Sequence, residues 1–156
     1  MCNKPKTYLI SILVALGTGG LSALLSRGGM EQYASLSLPP LSPPGIVFPI
    51  VWTLLFILMG ISAALVYCSE DLDRQAALRI YAAQLVVNFF WSIFFFGLQW
   101  RLFSFFWLLL LAALVIWMIV RFSRILPAAG WLQLPYLLWL VFAGYLNLGV
   151  WFLNRG

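Results

Sequence analysis

The residues of this chain that could recognise a ligand are aromatic rings and amides that recur at helical spacing on apolar segments. Phe48, Trp52 and Phe56 follow one another at four-residue steps, which places the three rings on one face of a helix. Such a stripe can pack between helices, or it can line a pocket for a flat apolar molecule. The spacing is compatible with both interpretations.

Two later segments combine tryptophan with amides or proline. Each set lies on one helical face: Gln84, Asn88, Trp91 and Phe95 on the earlier segment, and Pro135, Trp139, Ala143 and Asn147 on the later one. An amide inside a bilayer is either a hydrogen-bonded link between helices or part of a functional site. For each amide alone the link is the simpler interpretation. Their recurrence beside tryptophan on separate segments favours a shared ligand site.

Other chemistry has few candidates. The chain contains no histidine, the commonest general base and the commonest haem and zinc ligand. Its acids all fall in connecting segments: Glu31, Glu70, Asp71 and Asp73. Cys2 and Cys68 predict neither a disulfide framework nor a metal site. We therefore expect no metal centre and no catalytic residue, and tryptophan is the side chain best equipped for redox chemistry.

Composition predicts a membrane protein. The chain has 156 residues, of which 64% are hydrophobic and 8% charged, and its charges are segregated between uncharged runs. Each run can hold about 20 apolar residues, the length that a helix needs to cross a bilayer. We predict an all-α membrane protein, with residues 1–156 forming one bundle of five transmembrane helices near 8–26, 44–67, 78–98, 102–121 and 131–153. The longest connection is 27–42.

Small residues and prolines predict local features of these helices. Gly19 and Ala23 are four residues apart, a spacing typical of a helix that packs closely against a neighbour. Pro43 and Pro44 suit the first positions of a helix, where an N–H has no partner. Pro49 would then lie inside the helix and should kink it.

The cations predict the orientation in the membrane. They divide unevenly between the two ends of the predicted bundle, with Lys4, Lys6, Arg74, Arg79, Arg121 and Arg124 on one side and Arg27, Arg101 and Arg155 on the other. Positive loops favour the cytoplasm, so we expect a cytoplasmic N-terminus and an outward-facing segment 27–42. The net charge of +5 forms no stripe, which argues against a nucleic-acid partner. A bacterial cytoplasmic membrane fits best, with an outer membrane as the alternative.

Three motifs in order resemble one family. They are Pro43-Pro44-Gly45-Ile46-Val47-Phe48-Pro49-Ile50-Val51-Trp52, then Gln84 with Asn88 and Trp91-Ser92, then Pro135-Tyr136 with Trp139, Phe142-Ala143 and Asn147. Together they are similar to the second, third and fifth helices of the translocator protein/tryptophan-rich sensory protein (TspO/MBR) family, in a bacterial member. The resemblance covers essentially the whole chain.

The resemblance implies a five-helix bundle, commonly a homodimer, that binds porphyrins. It implies that Trp52 and Trp139 flank the ligand cavity and contribute to light-dependent porphyrin breakdown. Other residues implied near that cavity or its lid are Phe56, Asn88, Phe89, Ala143 and Arg27, with Tyr33 in the lid segment 33–42. The lid departs from the family pattern at Gln32, Leu38 and Leu41, where the family often has an aromatic, a lysine and an aromatic.

These observations favour a regulatory membrane protein that binds a porphyrin, such as protoporphyrin IX or a haem-related tetrapyrrole, in a tryptophan-lined cavity. The ligand-binding residues that we predict are Phe48, Trp52, Phe56, Gln84, Asn88, Phe89, Trp91, Trp139, Ala143, Asn147, Arg27 and Tyr33. One alternative is light-dependent porphyrin degradation, and another is transport of porphyrins or lipid-like amphiphiles. Proton-coupled transport is disfavoured, because the predicted spans contain no ionisable relay.

Overall fold

The computed structural model describes residues 2–155, at Met30 and Glu31 by the backbone alone. Within that range, five helical spans are long and apolar enough to cross a membrane, which confirms the predicted all-α class. The helices are α1 (Lys4–Leu25), α2 (Arg27–Ala34), α3 (Val47–Tyr67), α4 (Arg74–Ser92), α5 (Arg101–Ile125) and α6 (Pro127–Asn154). A π-helical turn, Ile93–Gly97, extends α4. Only α2 is too short to be a span.

Most helices extend beyond the spans predicted from charge. α1 begins at Lys4 rather than at 8, α4 at Arg74 rather than at 78, and α6 at Pro127 rather than at 131, while α5 ends at Ile125 rather than at 121. The first half of the predicted loop 27–42 is also helical. Charged residues mark the edge of the membrane but do not end a helix, because Lys and Arg side chains reach water from a helical turn.

The predicted kink at Pro49 is wrong. α3 begins at Val47, three residues later than expected, so Pro43 and Pro44 precede the helix. Pro49 therefore lies in the first turn, where a missing N–H would have no intrahelical partner in any case. The carbonyl of Gly45 instead accepts a hydrogen bond from the N–H of Phe48, at 3.3 Å.

The five spans form a ring in the order α1, α3, α6, α5, α4, and the ring closes where α1 meets α4. Most of the fully buried side chains lie among α3, α4, α5 and α6, and include Met59, Met118, Phe122 and Leu140. α1 lies at the edge, and its only buried residues are Ala15 and Ser22. The bundle is therefore a four-helix core with a peripheral first helix.

Hydrogen bonds and close backbone contact attach α1 to that core. The hydroxyl of Ser11 donates to the carbonyl of Gly60 at 2.7 Å, and that of Ser22 donates to the carbonyl of Phe89 at 2.7 Å. A Cβ on Gly60 would lie 2.6 Å from the Cα of Ile12, so only glycine permits this approach. Such contacts are what hold helices together in lipid, where apolar surface gives no preference for a neighbouring helix.

The prediction that Cys2 and Cys68 give no disulfide framework is wrong. Cys2 and Cys68 are bonded, with Cα atoms 5.3 Å apart. The antiparallel packing of α1 on α3 brings these residues together across 66 positions of the sequence, a proximity that no local motif encodes. Disulfides are rare in the cytoplasm, but the cation bias places the end of the bundle that carries Cys2 and Cys68 on the cytoplasmic side. The bond and the charge bias therefore favour opposite sides of the membrane for this end.

We expect Gly60→Ala to destabilise the protein by about 1–3 kcal/mol, since the added methyl must displace the backbone of α1. Gly17→Ala is the matched control, because a Cβ at Gly17 meets nothing within 4 Å. Thermal unfolding in detergent measures the difference, and equal melting temperatures for the two variants would contradict the close approach.

The disulfide predicts that a maleimide labels no thiol of the oxidised, denatured protein and two thiols after reduction. Cys2→Ser should expose one reactive thiol without reduction, because Cys68 then lacks its partner. Mass spectrometry of the labelled chain gives the count. Two reactive thiols before any reductant is added would refute the bond.

Candidate functional site

A cavity of ≈ 210 Å³ lies between α1 and the four-helix core. Seven predicted site residues line it: Phe48, Trp52, Phe56, Asn88, Trp91, Trp139 and Ala143. They come from α3, α4 and α6, so the three motifs that are distant in sequence meet at one place. Trp52 and Trp139 both line this cavity.

One wall of the cavity was missed from the sequence. α1 contributes Gly19, Ser22 and Ala23, and its C-cap residue Ser26 follows at the same helical spacing. The spacing of Gly19 and Ala23 predicts close packing, and that holds at Gly19, where a Cβ would lie 2.3 Å from the Phe56 ring. The sequence signal for this wall was the pair of serines on the same face as Gly19 and Ala23. Small polar side chains can contact a neighbouring helix and still leave space beside it.

Five predicted site residues do not line the cavity. Gln84 and Asn147 are buried behind it, and Arg27 is exposed. Phe89 borders it through its backbone, since its carbonyl accepts the Ser22 hydroxyl. Tyr33 lies in the lid, packed on Phe48. None of these five residues lines the cavity.

A hydroxyl and two amides form a hydrogen-bond network beneath the cavity, which we call the floor network, and of its three residues only Asn88 lines the cavity. The Nδ2 of Asn88 donates to the Tyr136 hydroxyl at 2.6 Å, and that hydroxyl donates to the Oε1 of Gln84 at 2.7 Å. All three residues are buried, so the network links α4 to α6 with groups that water cannot satisfy. The interpretation of Gln84 and Asn88 as links between helices fits this geometry, and Asn88 also reaches the cavity.

A second network fixes the orientation of Trp91. Its Nε1 donates to the Oδ1 of Asn147 at 3.1 Å, and the Nδ2 of Asn147 donates to the carbonyl of Arg101 at 2.7 Å. The indole also stacks on Phe95, with ring centres 5.2 Å apart and planes 12° from parallel. Asn147 therefore acts on the cavity by holding one of its walls.

The two tryptophans from α3 and α6 differ in their surroundings. The Trp52 ring lies 6.4 Å from that of Trp91 and 6.2 Å from that of Tyr136, so it is packed among rings. Trp139 meets Phe48 edge-on, with centres 5.9 Å apart. Its Nε1 is buried and finds no acceptor among the described residues. A donor of this kind, next to a cavity, is suited to an acceptor on a ligand.

The lid consists of α2 and the segment 35–46. Tyr33 is buried, with its ring 5.8 Å from Phe48 and 5.6 Å from Phe96. This burial raises the pKa of the Tyr33 hydroxyl above its ordinary value, so it remains a neutral donor. At Gly29 a Cβ would fall 2.0 Å from the carbonyl oxygen of Phe96, so glycine lets α2 rest directly on the π-helical turn.

The second half of the lid is attached to the end of α6. The Nδ2 of Asn154 donates to the carbonyl of Ser37 at 2.8 Å, and the N–H of Ser37 donates to the Oδ1 of Asn154 at 3.1 Å. The hydroxyl of Tyr145 donates to the carbonyl of Pro40. The lid is thus held by polar contacts at the membrane surface and by aromatic contacts above the cavity.

Comparison with known proteins agrees with this architecture. The family model described as TspO/MBR family matches residues 9–152. The chain is 34% identical to the tryptophan-rich protein TspO of Chlorobaculum tepidum over 147 residues, covering 93% of this chain and 92% of that protein. It is 36% identical to the protein CrtK of Rhodobacter capsulatus over 151 residues (96% and 91%), and 34% identical to the translocator protein of Bos taurus over 148 (90% and 85%).

We expect Tyr136→Phe to lower the free energy of unfolding by about 1–3 kcal/mol, because it leaves the amides of Asn88 and Gln84 buried without their partner. Tyr8→Phe, at a partly exposed position of α1, is the matched control. Chemical denaturation in a mixed micelle compares the two, and equal stability would show that the floor network contributes nothing.

Proposed function

The chain belongs to the TspO/MBR family, and on that premise we propose that it is a regulatory membrane protein that binds a porphyrin in the cavity between Trp52 and Trp139. It is an integral membrane protein with several apolar helices. The observation that carries the proposal is the convergence of Trp52, Trp91 and Trp139 on one cavity, with the Trp139 donor unused.

The chemistry of the walls suits a flat, largely apolar ring. Indole and phenyl faces offer stacking and edge contacts to a conjugated macrocycle, and their burial supplies most of the affinity. Polar groups are a minority of the lining and include the Asn88 amide, the Trp139 N–H and the hydroxyls of Ser22, Ser26 and Ser92. A small number of polar groups on an apolar wall is the pattern that orients a ligand.

The size of the cavity predicts that the ligand opens the lid. At ≈ 210 Å³ the space is smaller than the roughly 300–1,000 Å³ typical of small-molecule sites. Of the elements around it, α2 and segment 35–46 form the lid, which is held by the ring contacts of Tyr33 and by polar contacts at the membrane surface, whereas α3, α4 and α6 belong to the core. We therefore expect the ring contacts between Tyr33 and Phe48 to separate when a porphyrin binds.

Light-dependent porphyrin breakdown is the second candidate function. It is favoured by the position of Trp52 and Trp139 on the same cavity, where both indoles would lie against a bound macrocycle. Absorbance of a bound porphyrin that falls repeatedly under light, and stays constant in the dark, would support turnover. A single stoichiometric loss accompanied by damaged tryptophan would support binding alone.

We also propose that the protein acts as a homodimer in a bacterial cytoplasmic membrane. Small residues on lipid-facing surfaces support a close helix contact between copies: Gly20 of α1 has open space around it, and Ala83 of α4 is exposed. Sedimentation in a density-matched detergent measures the oligomeric state.

We expect Trp139→Phe and Trp52→Phe each to weaken protoporphyrin IX binding by about two- to tenfold, since each removes part of an aromatic wall. Trp117→Phe is the matched control, because Trp117 lies on α5, is half exposed, and does not line the cavity. Quenching of tryptophan fluorescence in detergent gives the affinities. Unchanged binding in both cavity variants would overturn the proposed site.

A further inference from the structure

A second concave surface lies at the lid end of the bundle, between the start of α5 and the end of α6. It is an open groove of ≈ 330 Å³ and shares no residue with the porphyrin cavity. Its main lining residues are Gln99, Trp100, Arg101, Phe103, Trp151 and Arg155. We call it the arginine groove.

The groove carries two positive charges without a described counter-charge. Arg101 and Arg155 both line it, and the described acidic side chains, Glu70, Asp71 and Asp73, lie at the opposite end of the bundle. The Nε and Nη2 of Arg101 are buried and meet no acceptor among the described residues. Those two nitrogens lie beneath the surface, so an anion in the groove would meet Arg101 through Nη1, the guanidinium nitrogen that is not buried.

The backbone at the start of α5 adds donors to the same place. α5 begins at Arg101, and its first backbone bond to a carbonyl is from the N–H of Ser104 to the carbonyl of Trp100, at 2.7 Å. The N–H groups of Arg101, Leu102 and Phe103 form no such bond in the described chain. Free N–H groups at the positive end of a helix favour an anion, and phosphate most clearly.

Aromatic rings hold the guanidinium groups in position. The Arg155 guanidinium carbon lies 4.4 Å from the Phe152 ring centre and 5.3 Å from that of Trp151. The Arg101 guanidinium carbon lies 5.5 Å from the Phe95 ring centre. Cation–π contacts of this kind orient a charge without neutralising it, so both groups remain able to bind an anion.

The groove adjoins surface that faces acyl chains. Trp100 and Phe103 are about half exposed, and Phe152 is 57% exposed. Tryptophan and arginine at the end of a membrane span are typical of the interface where lipid headgroups lie. An anion at this position is therefore most readily supplied by a molecule whose other end is apolar.

We propose that the arginine groove binds the phosphate of an anionic phospholipid headgroup, with the acyl chains along the exposed faces of α5 and α6. Arg101, Arg155 and the first N–H groups of α5 contact the phosphate, and Trp100 and Phe103 contact the glycerol and upper acyl region. Asn154 lines the same groove and holds Ser37 of the lid, so the bound headgroup lies beside the attachment of the lid.

The test is lipid binding to the delipidated, full-length protein, measured by native mass spectrometry. A short-chain phosphatidylglycerol is titrated against a phosphatidylcholine of the same chain length. We expect preferential binding of phosphatidylglycerol, a loss of about fivefold in Arg101→Gln and in Arg155→Gln, and no preference in the double variant. The double variant Arg79→Gln/Arg124→Gln removes the same charge from exposed positions at the other end and should keep the preference.

Three results would overturn the proposal. One is equal binding of the two lipids by the unaltered protein, and another is a preference that survives in the double groove variant. The third is competition by glycerol 1-phosphate at the concentrations at which the lipid binds, which would make this a site for a soluble phosphate. If Arg101→Gln has a lower melting temperature than the unaltered protein, the lipid binding of Arg155→Gln alone tests the proposal. Arg155 lies at the exposed end of α6, where the substitution removes no buried group.

Discussion

The structure depends on satisfying polar groups where there is no water to do so. In a bilayer each buried donor or acceptor needs a partner from the protein, and the Tyr136 hydroxyl provides one by joining the Asn88 amide to that of Gln84. This bond network ties α4 to α6. Because Asn88 also reaches the cavity, the same bonds that hold the core fix the polar edge of the proposed ligand site.

The cavity exists because α1 is attached differently from the other spans. Apolar helices gain no hydrophobic free energy when contacts with lipid are replaced by contacts with each other. α1 therefore associates through hydroxyl-to-carbonyl bonds and glycine contacts. Those contacts fall on Ser11, Gly60 and Ser22, and small side chains occupy the intervening surface. The cavity lies beside the last of these contacts, where Gly19, Ser22, Ala23 and Ser26 leave space that rings from α3, α4 and α6 line.

The lid connects the two proposed ligand surfaces. Tyr33 seals the cavity by contact with Phe48 and Phe96, whereas Ser37 is bonded to Asn154 at the rim of the arginine groove. A ligand that separates Tyr33 from Phe48 and a headgroup that occupies the groove would therefore act on opposite halves of one segment. This geometry gives the surrounding lipid a physical route to influence ligand access.

The sequence alone determined the fold class and the faces of the helices, because uncharged runs of about 20 residues and four-residue spacing are local consequences of the bilayer and the helix. It thus placed Trp52, Asn88 and Trp139 on inward stripes. Only the tertiary structure decided which stripes meet at a cavity, that α1 supplies a wall, and that Cys2 reaches Cys68. These depend on the order of helices around the ring and on points of close approach, which combine residues far apart in the chain.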